Sequence, residues 1–554
     1  MNLKLASALV FALCAASPFA HGQEPTDHKY FYEDIFTPFF VQDPGKQVYL
    51  PQRPGSYSSS FPSRKAPGTF RVFVLGGSIA ARYMTGDQHL GYALEQALPS
   101  LRIEALNCGM ASYDSYREAL VLGEVLDYSP DLIVLLTGHS EMPDSPSAPP
   151  WIEHARDRLN RWSVYRKWVE KLDLQPKQVP GSRNKDAASR NLRFQTNLRE
   201  MIRHAKARGI PIAVALPPLN YRDEFPADDP PMADSRFVKG LVQYLRGDSE
   251  ASSRTWTARL ATQQKDYEAP EGPAMLFFLG RAAERSGKQE EANRYFLRAL
   301  EADSSALGRC ATDCQRAIRR IAAEEGAILV DLDGAFRKVA APRLPGLDMF
   351  QDATHWHHAY DAVASQAFLV ALRSAPPLRT LPWDLERLED LRIRWSQKTG
   401  QPIQEEDTLN TLRYAVQGLG EDHRGGLSWQ SVIALEAVLE RNPAWFRDLA
   451  RLIRREEAGS DALGKAWGMK PLSISQARFQ WHIGEARLLR GDVRGASADF
   501  KEALRRDPSL KGARLSLAAA QALSDIPGEA MRSIQEASQD GLHDEAAALA
   551  KALE

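Results

Sequence analysis

The sequence has few cysteines, almost no net charge and no long hydrophobic run beyond its first residues. Lys and Arg total 70 against 71 Asp and Glu, so the formal net charge is −1, which disfavours a broad nucleic-acid-binding surface. No later segment is apolar for about 18 residues or more, so we expect no transmembrane segment. A chain of 554 residues with 44% hydrophobic residues predicts a soluble globular protein of two or three domains.

The four cysteines exclude a cysteine-rich framework. Cys14 lies in the apolar N-terminal run, and no histidine stands at metal-ligand spacing around Cys108, Cys310 and Cys314. We therefore expect no zinc site. We also expect no cofactor. Cys310 and Cys314 are the only close pair; they could form a disulfide in an exported protein or remain two thiols.

The N-terminus has the pattern of a secretory signal peptide. A lysine precedes a short apolar run, and Ala20 and Gly22 occupy the small-residue positions before a predicted cleavage. Leu13 disfavours lipid anchoring through Cys14, because a lipid-modified cysteine normally follows a small residue. We interpret residues 1–22 as a signal peptide and expect a periplasmic or extracellular protein.

Residues 23–69, rich in Pro, Ser and aromatic residues, predict an extended lead-in that packs on the surface of the next domain. Strand and helix patterns then alternate over residues 70–376, which predicts an α/β domain with a parallel sheet between two layers of helices. The strand candidates are residues 71–76, 101–106, 132–137, 210–216 and 327–332. Helical candidates between them include residues 91–98, 115–126 and 189–209.

A helical insertion at about residues 225–305 separates the fourth and fifth strand candidates. Its residues Gly280, Gly287, Ala292, Phe296 and Ala299 recur with the same offsets as Gly484, Gly491, Ala496, Phe500 and Ala503. This spacing resembles the tetratricopeptide repeat, a helix–turn–helix of about 34 residues; ordinary helical hairpins are the alternative. Residues 377–554 predict a second, all-helical domain, with tetratricopeptide-like repeats at about 475–541.

The run FRVFVLGGSIAARY, residues 70–83, reads as a buried strand that ends where a helix begins. Gly76 and Gly77 allow the chain to turn sharply. Ser78 then stands at the carboxyl end of the strand, where open α/β sheets keep their chemistry. The alternative is an ordinary tight turn with a capping serine.

Three other strand candidates end in comparable residues. NCGMASYDS places Gly109 after the second strand, and TGHSEM places His139 and Ser140 after the third. Beyond the fifth, MFQDATHWHHAY places Asp352 three residues before His355. An acyl-transfer site needs a nucleophile, a base, a group that orients the base, and donors for the oxyanion. These loops offer residue types for each role.

Four sequence blocks, at Ser78, at Gly109, at residues 138–141 and at residues 352–355, follow one another in this order. They resemble the blocks of the SGNH, or GDSL-type, hydrolase family, and most closely those of its secreted bacterial members that carry tetratricopeptide repeats. The resemblance covers about residues 35–375 and implies a flavodoxin-like parallel sheet of five strands. It implies that Ser78 is the nucleophile and His355 its base. Asp352 would then orient the imidazole and stabilise its charged form.

The resemblance also implies an oxyanion hole made by the backbone N–H groups of Ser78 and Gly109 and by a third donor. Ser140 occupies the position of the family's asparagine, so we expect a weakened enzyme. Trp356 stands where the subgroup has proline, and could change the presentation of the base or stack on a sugar. Gly77, His139 and Trp356 are candidate substrate contacts.

We therefore expect a secreted serine esterase that removes O-acyl groups, such as acetyl, from a cell-envelope or extracellular glycan. An acyltransferase that uses the same serine is one alternative. The other is a degenerate SGNH domain that serves with its repeats as a protein-interaction scaffold in envelope assembly. The partners to expect are an acylated glycan or other ester and a protein bound by the repeats, but not nucleic acid.

Overall fold

The computed structural model describes residues 38–53, 55–141, 187–226, 232–262, 272–303, 309–398, 427–441 and 475–554, with residues 408, 410–412, 414 and 415. The predicted signal peptide, Cys14 and the first part of the lead-in lie outside the described residues. The chain divides into two compact units. The sheet unit comprises Met1–Pro217, Leu307–Ala335 and Asp361–Lys398, and the helical unit comprises Pro218–Ala306, Phe336–Tyr360 and Thr399–Glu554.

The strands are β1 (Phe40–Asp43), β2 (Val48–Pro51), β3 (Phe61–Pro62), β4 (Thr69–Gly76), β5 (Arg102–Gly109), β6 (Leu132–Leu136), β7 (Ile212–Leu216) and β8 (Ile328–Asp331). The first helices are α1 (Ser78–Tyr83), α2 (Leu90–Ala97), α3 (Ser115–Val125), α4 (Ala187–Ala207), α5 (Ser235–Leu245), α6 (Ser249–Leu260), α7 (Gly272–Arg285), α8 (Gln289–Ala302) and α9 (Thr312–Glu325). The later helices are α10 (Leu332–Ala340), α11 (Asp361–Ser374), α12 (Leu385–Lys398), α13 (Trp429–Arg441), α14 (Gln476–Leu489), α15 (Val493–Arg506), α16 (Lys511–Leu523), α17 (Pro527–Gln539) and α18 (His543–Leu553).

The main sheet has five parallel strands in the order β5-β4-β6-β7-β8. All five predicted strands are confirmed, and the order is the flavodoxin-like one that the resemblance implied. Phe73 and Leu75 pack with helices α3, α4 and α9 in one core, and the alternate residues Val72 and Val74 are fully buried as well. Burial of both sets of alternating residues explains the uninterrupted apolar sequence of β4.

Part of the predicted lead-in belongs to the core of the sheet unit. Strands β1, β2 and β3 form a separate antiparallel sheet. Phe39, Phe40 and Phe61 are 0%, 2% and 3% exposed, and they share the hydrophobic core of Phe73. The expectation that the lead-in packs on the surface of the next domain is wrong for these three residues, because their aromatic side chains lie in the core.

In the helical unit, pairs of helices pack closely at two of the glycines in the recurring pattern. A Cβ added to Gly280 of α7 would lie 2.6 Å from the ring of Phe296 on α8. A Cβ added to Gly484 of α14 would lie 2.4 Å from the ring of Phe500 on α15. Both hairpins therefore bring their helices together through the same glycine–phenylalanine contact.

The inserted helices and the C-terminal helices share the helical unit. Arg281 of α7 pairs with Glu436 of α13, with nitrogen and oxygen 2.7 Å apart, and Leu245 of α5 packs against the core of α14 and α15. The sequence places these segments in different predicted domains, 70–376 and 377–554, because the fifth strand and its following helix lie between them along the chain. Contacts between residues far apart in the sequence, such as Arg281 with Glu436, place both segments in one unit.

The predicted boundary at residue 377 also differs from the structure. Helix α12 follows that boundary, yet it falls in the sheet unit, where it contacts α2. The backbone N–H of Asp384, just before α12, donates to the carbonyl of Ala97 at the end of α2. None of the helices described above has the length and apolar character to cross a membrane.

Candidate active site

The turn that carries Ser78 is formed by two glycines at the carboxyl end of β4. Gly76 lies beside β6, and a Cβ added to it would lie 2.3 Å from the backbone oxygen of Leu136. Because a backbone oxygen cannot move aside as a side chain can, only glycine fits. Ser78 follows as the first residue of α1 and is partly exposed.

Three loops of the sheet unit meet at Gly77. A Cβ added to Gly77 would lie 2.9 Å from Ser140 Oγ, in the loop after β6, and 3.3 Å from the carbonyl of Tyr113, in the loop after β5. Ser140 is 9% exposed. The structure therefore brings the predicted oxyanion serine against the residue that precedes Ser78.

Gly109, the glycine of the second block, lies against the first turn of α1. A Cβ there would lie 2.2 Å from the backbone nitrogen of Ala81. Its N–H donates to Asn107 Oδ1 over 3.0 Å, and Asn107 Nδ2 donates to the carbonyl of Ala81 over 2.8 Å. An oxyanion would therefore have to replace Asn107 as the partner of this N–H. Our sequence reasoning missed Asn107, although it stands two residues before the block glycine.

Cys310 and Cys314 form a disulfide, which settles the alternative left open by the sequence. A Cβ added to Gly138 would lie 2.9 Å from Cys310 Sγ and 3.0 Å from Cys314 Sγ. His139 Nδ1 accepts a hydrogen bond of 3.0 Å from the backbone N–H of Cys310. The disulfide segment thus packs on the loop of Ser140 and holds His139. The described residues contain no cluster of His, Cys, Asp and Glu suited to a metal ion.

Buried carboxylates lie next to the Ser140 loop. Glu141 accepts a hydrogen bond of 2.6 Å from the backbone N–H of Ser115, the first residue of α3. Burial raises the pKa of Glu141 to about 7, and the neighbouring charge of Asp114 adds to the shift. Asp114 caps α3 through the N–H of Arg117. These carboxylates fix the start of α3 and with it the loop that contacts Gly77.

In the helical unit, Asp352 and His355 form a hydrogen-bonded pair. Asp352 Oδ2 lies 2.8 Å from His355 Nδ1, while Asp352 Oδ1 accepts from the backbone N–H groups of Thr354 and His355 over 2.9 and 2.7 Å. Burial opposes ionisation, but the charge and hydrogen bonds of His355 and the N–H of Thr354 lower the pKa of Asp352 to about 2. An ionised carboxylate at Nδ1 places the proton of a neutral imidazole there, so Nε2 is its basic nitrogen.

Trp356 belongs to the core of the helical unit. Its side chain is 2% exposed, and its ring centroid lies 5.3 Å from that of Phe336. It also pairs with Phe350 through an isolated antiparallel bridge. The suggestion that Trp356 stacks on a sugar is wrong, because its ring is covered by other aromatic residues.

The structure brings the predicted site residues together in two groups. Gly77, Ser78, Gly109 and Ser140 converge at the carboxyl ends of strands in the sheet unit. Asp352 and His355 meet each other in the helical unit.

No protein-family model and no curated protein matches the chain. Solved structures similar to it include an acetylxylan esterase from Geobacillus stearothermophilus, at 12% identity over 55% of this chain and 94% of that chain, with a TM-score of 0.27. A GDSL-like lipase from Bacteroides thetaiotaomicron is 12% identical over 54% of this chain and 86% of that chain, with a TM-score of 0.25. With identities and TM-scores this low, the likeness carries no argument about activity.

Proposed function

We propose that the protein is a secreted serine esterase of SGNH type that removes O-acyl groups, such as acetyl, from a cell-envelope or extracellular glycan. The observation that carries the proposal is the Asp352–His355 pair. Its carboxylate is held by two backbone N–H groups and faces His355 Nδ1 over 2.8 Å, so that Nε2 is the basic nitrogen of the neutral imidazole. The order of the four sequence blocks assigns Ser78 to this base.

In the proposed reaction, Ser78 Oγ attacks the acyl carbonyl carbon while His355 Nε2 takes the hydroxyl proton. The bond from the acyl carbon to the glycan oxygen then breaks, and His355 returns the proton to that oxygen. Water then attacks the acyl carbon with His355 again as base, the bond from that carbon to Ser78 Oγ breaks, and His355 returns the proton to Ser78 Oγ. The products are a carboxylic acid and the free serine. Asp352 holds the imidazole tautomer and stabilises the imidazolium.

The proposed oxyanion donors are the N–H groups of Ser78 and Gly109 and the hydroxyl of Ser140. Ser140 supports this role through its position against Gly77. A serine hydroxyl rotates more freely than an asparagine amide and is less preorganised. The Gly109 N–H would have to leave Asn107. We therefore expect slower turnover than in a site whose donors are already directed at the oxyanion.

The glycan substrate is the part of the proposal that comes from the sequence. It depends on the N-terminal export pattern and on the family resemblance of the sequence. An acyltransferase would follow the same first step, with a second hydroxyl in place of water. Competition between water and added acyl acceptors during turnover of an acetyl ester separates the two reactions, since a transferase forms mainly the acylated acceptor and an esterase forms mainly the free acid.

Intact-mass measurement after treatment with a fluorophosphonate tests the activated serine. We expect one adduct on the wild-type protein and none on Ser78→Ala or His355→Ala. Ser63→Ala and His204→Ala are matched controls, because Ser63 only donates to the carbonyl of Gln47 and His204 is exposed on α4; both should be labelled. A folded wild-type protein without an adduct would contradict the esterase and favour the scaffold alternative.

A further inference from the structure

The loop after β7 contacts the segment that carries Asp352 and His355, and no step of the proposed reaction uses it. Asn220 in this loop is fully buried. Its backbone N–H donates to the carbonyl of Ala353 over 3.1 Å, and its Nδ2 donates to the carbonyl of Asp352 over 3.4 Å. Its Oδ1 accepts from the N–H of Asp223 over 3.0 Å. One amide thus ties the backbone of Asp352 to a second loop.

Asp223 and Arg222 hold the same segment a few residues earlier. Asp223 Oδ2 accepts from the N–H of Leu347 over 2.8 Å and pairs with Arg222 Nη2 over 2.9 Å. Arg222, whose side chain is 6% exposed, also pairs with Asp348 over 3.0 Å. The backbone N–H of Tyr221 donates to the carbonyl of Pro345 over 2.9 Å.

Gly346 shows how closely the two loops fit. A Cβ at this position would lie 2.3 Å from Asp223 Oδ2 and 2.4 Å from Arg222 Nη2. Buried charged and amide groups cost desolvation energy, and apolar contacts would hold a loop without that cost. What the polar contacts add is direction, because those of Asn220, Tyr221 and Asp223 fix backbone groups of the segment 345–353.

We propose that Asn220 and Asp223 are positioning residues for the Asp352–His355 pair. They fix the backbone of Asp352 and thereby the direction of its carboxylate towards His355 Nδ1. The inference rests on the proposed function for its significance, but the geometry that it concerns can be measured without any activity. Because reaction rates respond steeply to placement, a small displacement of the pair is enough to slow turnover.

The test is the downfield proton resonance of the His355 Nδ1–H in protein with 15N-labelled histidine. We expect this resonance in the wild type and its loss in Asp352→Asn and His355→Gln, which assign it. In Asn220→Ala it should move upfield or disappear, with a milder change in Asp223→Asn. Asp234→Asn is the matched control: Asp234 pairs with Arg259 over 2.8 Å elsewhere in the helical unit, and its loss should leave the resonance unchanged.

A second measurement links the geometry to rate. Fluorophosphonate labelling of Asn220→Ala should be about tenfold slower than that of the wild type, and ester turnover should fall in kcat with KM little changed. Absence of the resonance in the wild type, or an unchanged resonance in folded Asn220→Ala, would overturn the inference. A wild type that shows the expected NMR pattern but forms no adduct would instead refute the esterase and leave the positioning role intact.

Discussion

The turn before Ser78 and the loop of Asp352 and His355 are positioned by opposite means. At the turn, side chains are missing where the backbone comes close. A Cβ would lie 2.3 Å from a backbone oxygen at Gly76 and 2.2 Å from a backbone nitrogen at Gly109. The loop depends instead on buried side chains, above all Asn220 and the Arg222–Asp223 pair. The position of the turn is thus determined by close backbone contacts, and that of the loop by hydrogen bonds.

The difference determines which substitutions each region tolerates. At Gly76 and Gly109, an added carbon meets backbone atoms that cannot move aside, so even alanine should displace the turn. In the loop, size matters less than pairing, because a buried polar group without its partner costs about 1–3 kcal/mol. An added side-chain carbon should therefore damage the turn before Ser78. Loss of a buried polar side chain should damage the loop of Asp352 and His355.

The largest effect is expected for Asp352→Asn, which keeps the size of the side chain and removes its charge. The amide no longer favours a proton on His355 Nδ1, so the imidazole can adopt the wrong tautomer. We expect kcat for an activated acetyl ester to fall about 10⁴-fold. Asp331→Asn, at a half-exposed carboxylate paired with Arg319, should retain activity. A loss below tenfold in Asp352→Asn would show that the pair does not drive the reaction.

Ser140→Ala tests the removal of a polar group, the Ser140 hydroxyl, beside the turn before Ser78. If Ser140 donates to the oxyanion, its loss should lower kcat by about 10²–10³-fold and change KM little. Thr85→Ala is the matched control, since Thr85 Oγ1 only donates to the carbonyl of Arg82 just after α1. Unchanged kcat in Ser140→Ala would remove this residue from the proposed oxyanion hole.

The same contrast explains how much the sequence could predict. The strands and the turn at Gly76 are local patterns: apolar runs of strand length, each followed by glycine or polar residues. The Asp352–His355 pair is also local, since its partners are three residues apart. These features needed no knowledge of distant contacts, and the structure contains them.

Features that depend on distant contacts were not predictable in this way. Asn220 meets the backbone of Asp352, which is 132 residues away in the chain. The sequence indicates Trp356 as a candidate ligand contact, but in the structure its ring packs against that of Phe336. Phe40 and Phe61 lie in a segment whose composition resembles a surface linker, yet both join the core. In each case the position of the partner, and not the residue type, decides the role.

Gly77→Ala makes the opposite test, an addition, and its effect should be smaller than that of Ser140→Ala. The new Cβ would lie 2.9 Å from Ser140 Oγ, and the hydroxyl can rotate away at the expense of its donor geometry. We expect kcat to fall about tenfold. In a Ser140→Ala background the nearest atom of residue 140 would be its Cβ at 3.7 Å, so the added loss should shrink. A double-mutant cycle should show coupling of about 1 kcal/mol; strict additivity would mean that the two residues act separately.

The contrast recurs at two consecutive residues of α14 in the helical unit. Gly484 admits the ring of Phe500, whereas Glu485 is 8% exposed and accepts hydrogen bonds from Ser516 and from Trp481 Nε1. Burial raises the pKa of Glu485 to about 7, although both hydrogen bonds favour the ionised form. The folded state therefore binds the carboxyl proton more tightly than the unfolded chain does.

Glu485→Gln should remove this dependence on pH. Because folding raises the pKa of Glu485, protonation of its carboxyl stabilises the folded state. This contribution is complete below the pKa of the unfolded chain, near 4.5, and is lost as the pH rises to about 7. The variant should match the wild type near about pH 5 and be more stable by about 1–3 kcal/mol near about pH 8, as measured by thermal unfolding. Glu502→Gln is the matched control on α15: hydrogen bonds from Arg505 and Arg506 lower the pKa of Glu502 to about 2, so its contribution is constant over this range. An equal stability difference at both pH values in Glu485→Gln would show that Glu485 does not titrate with folding.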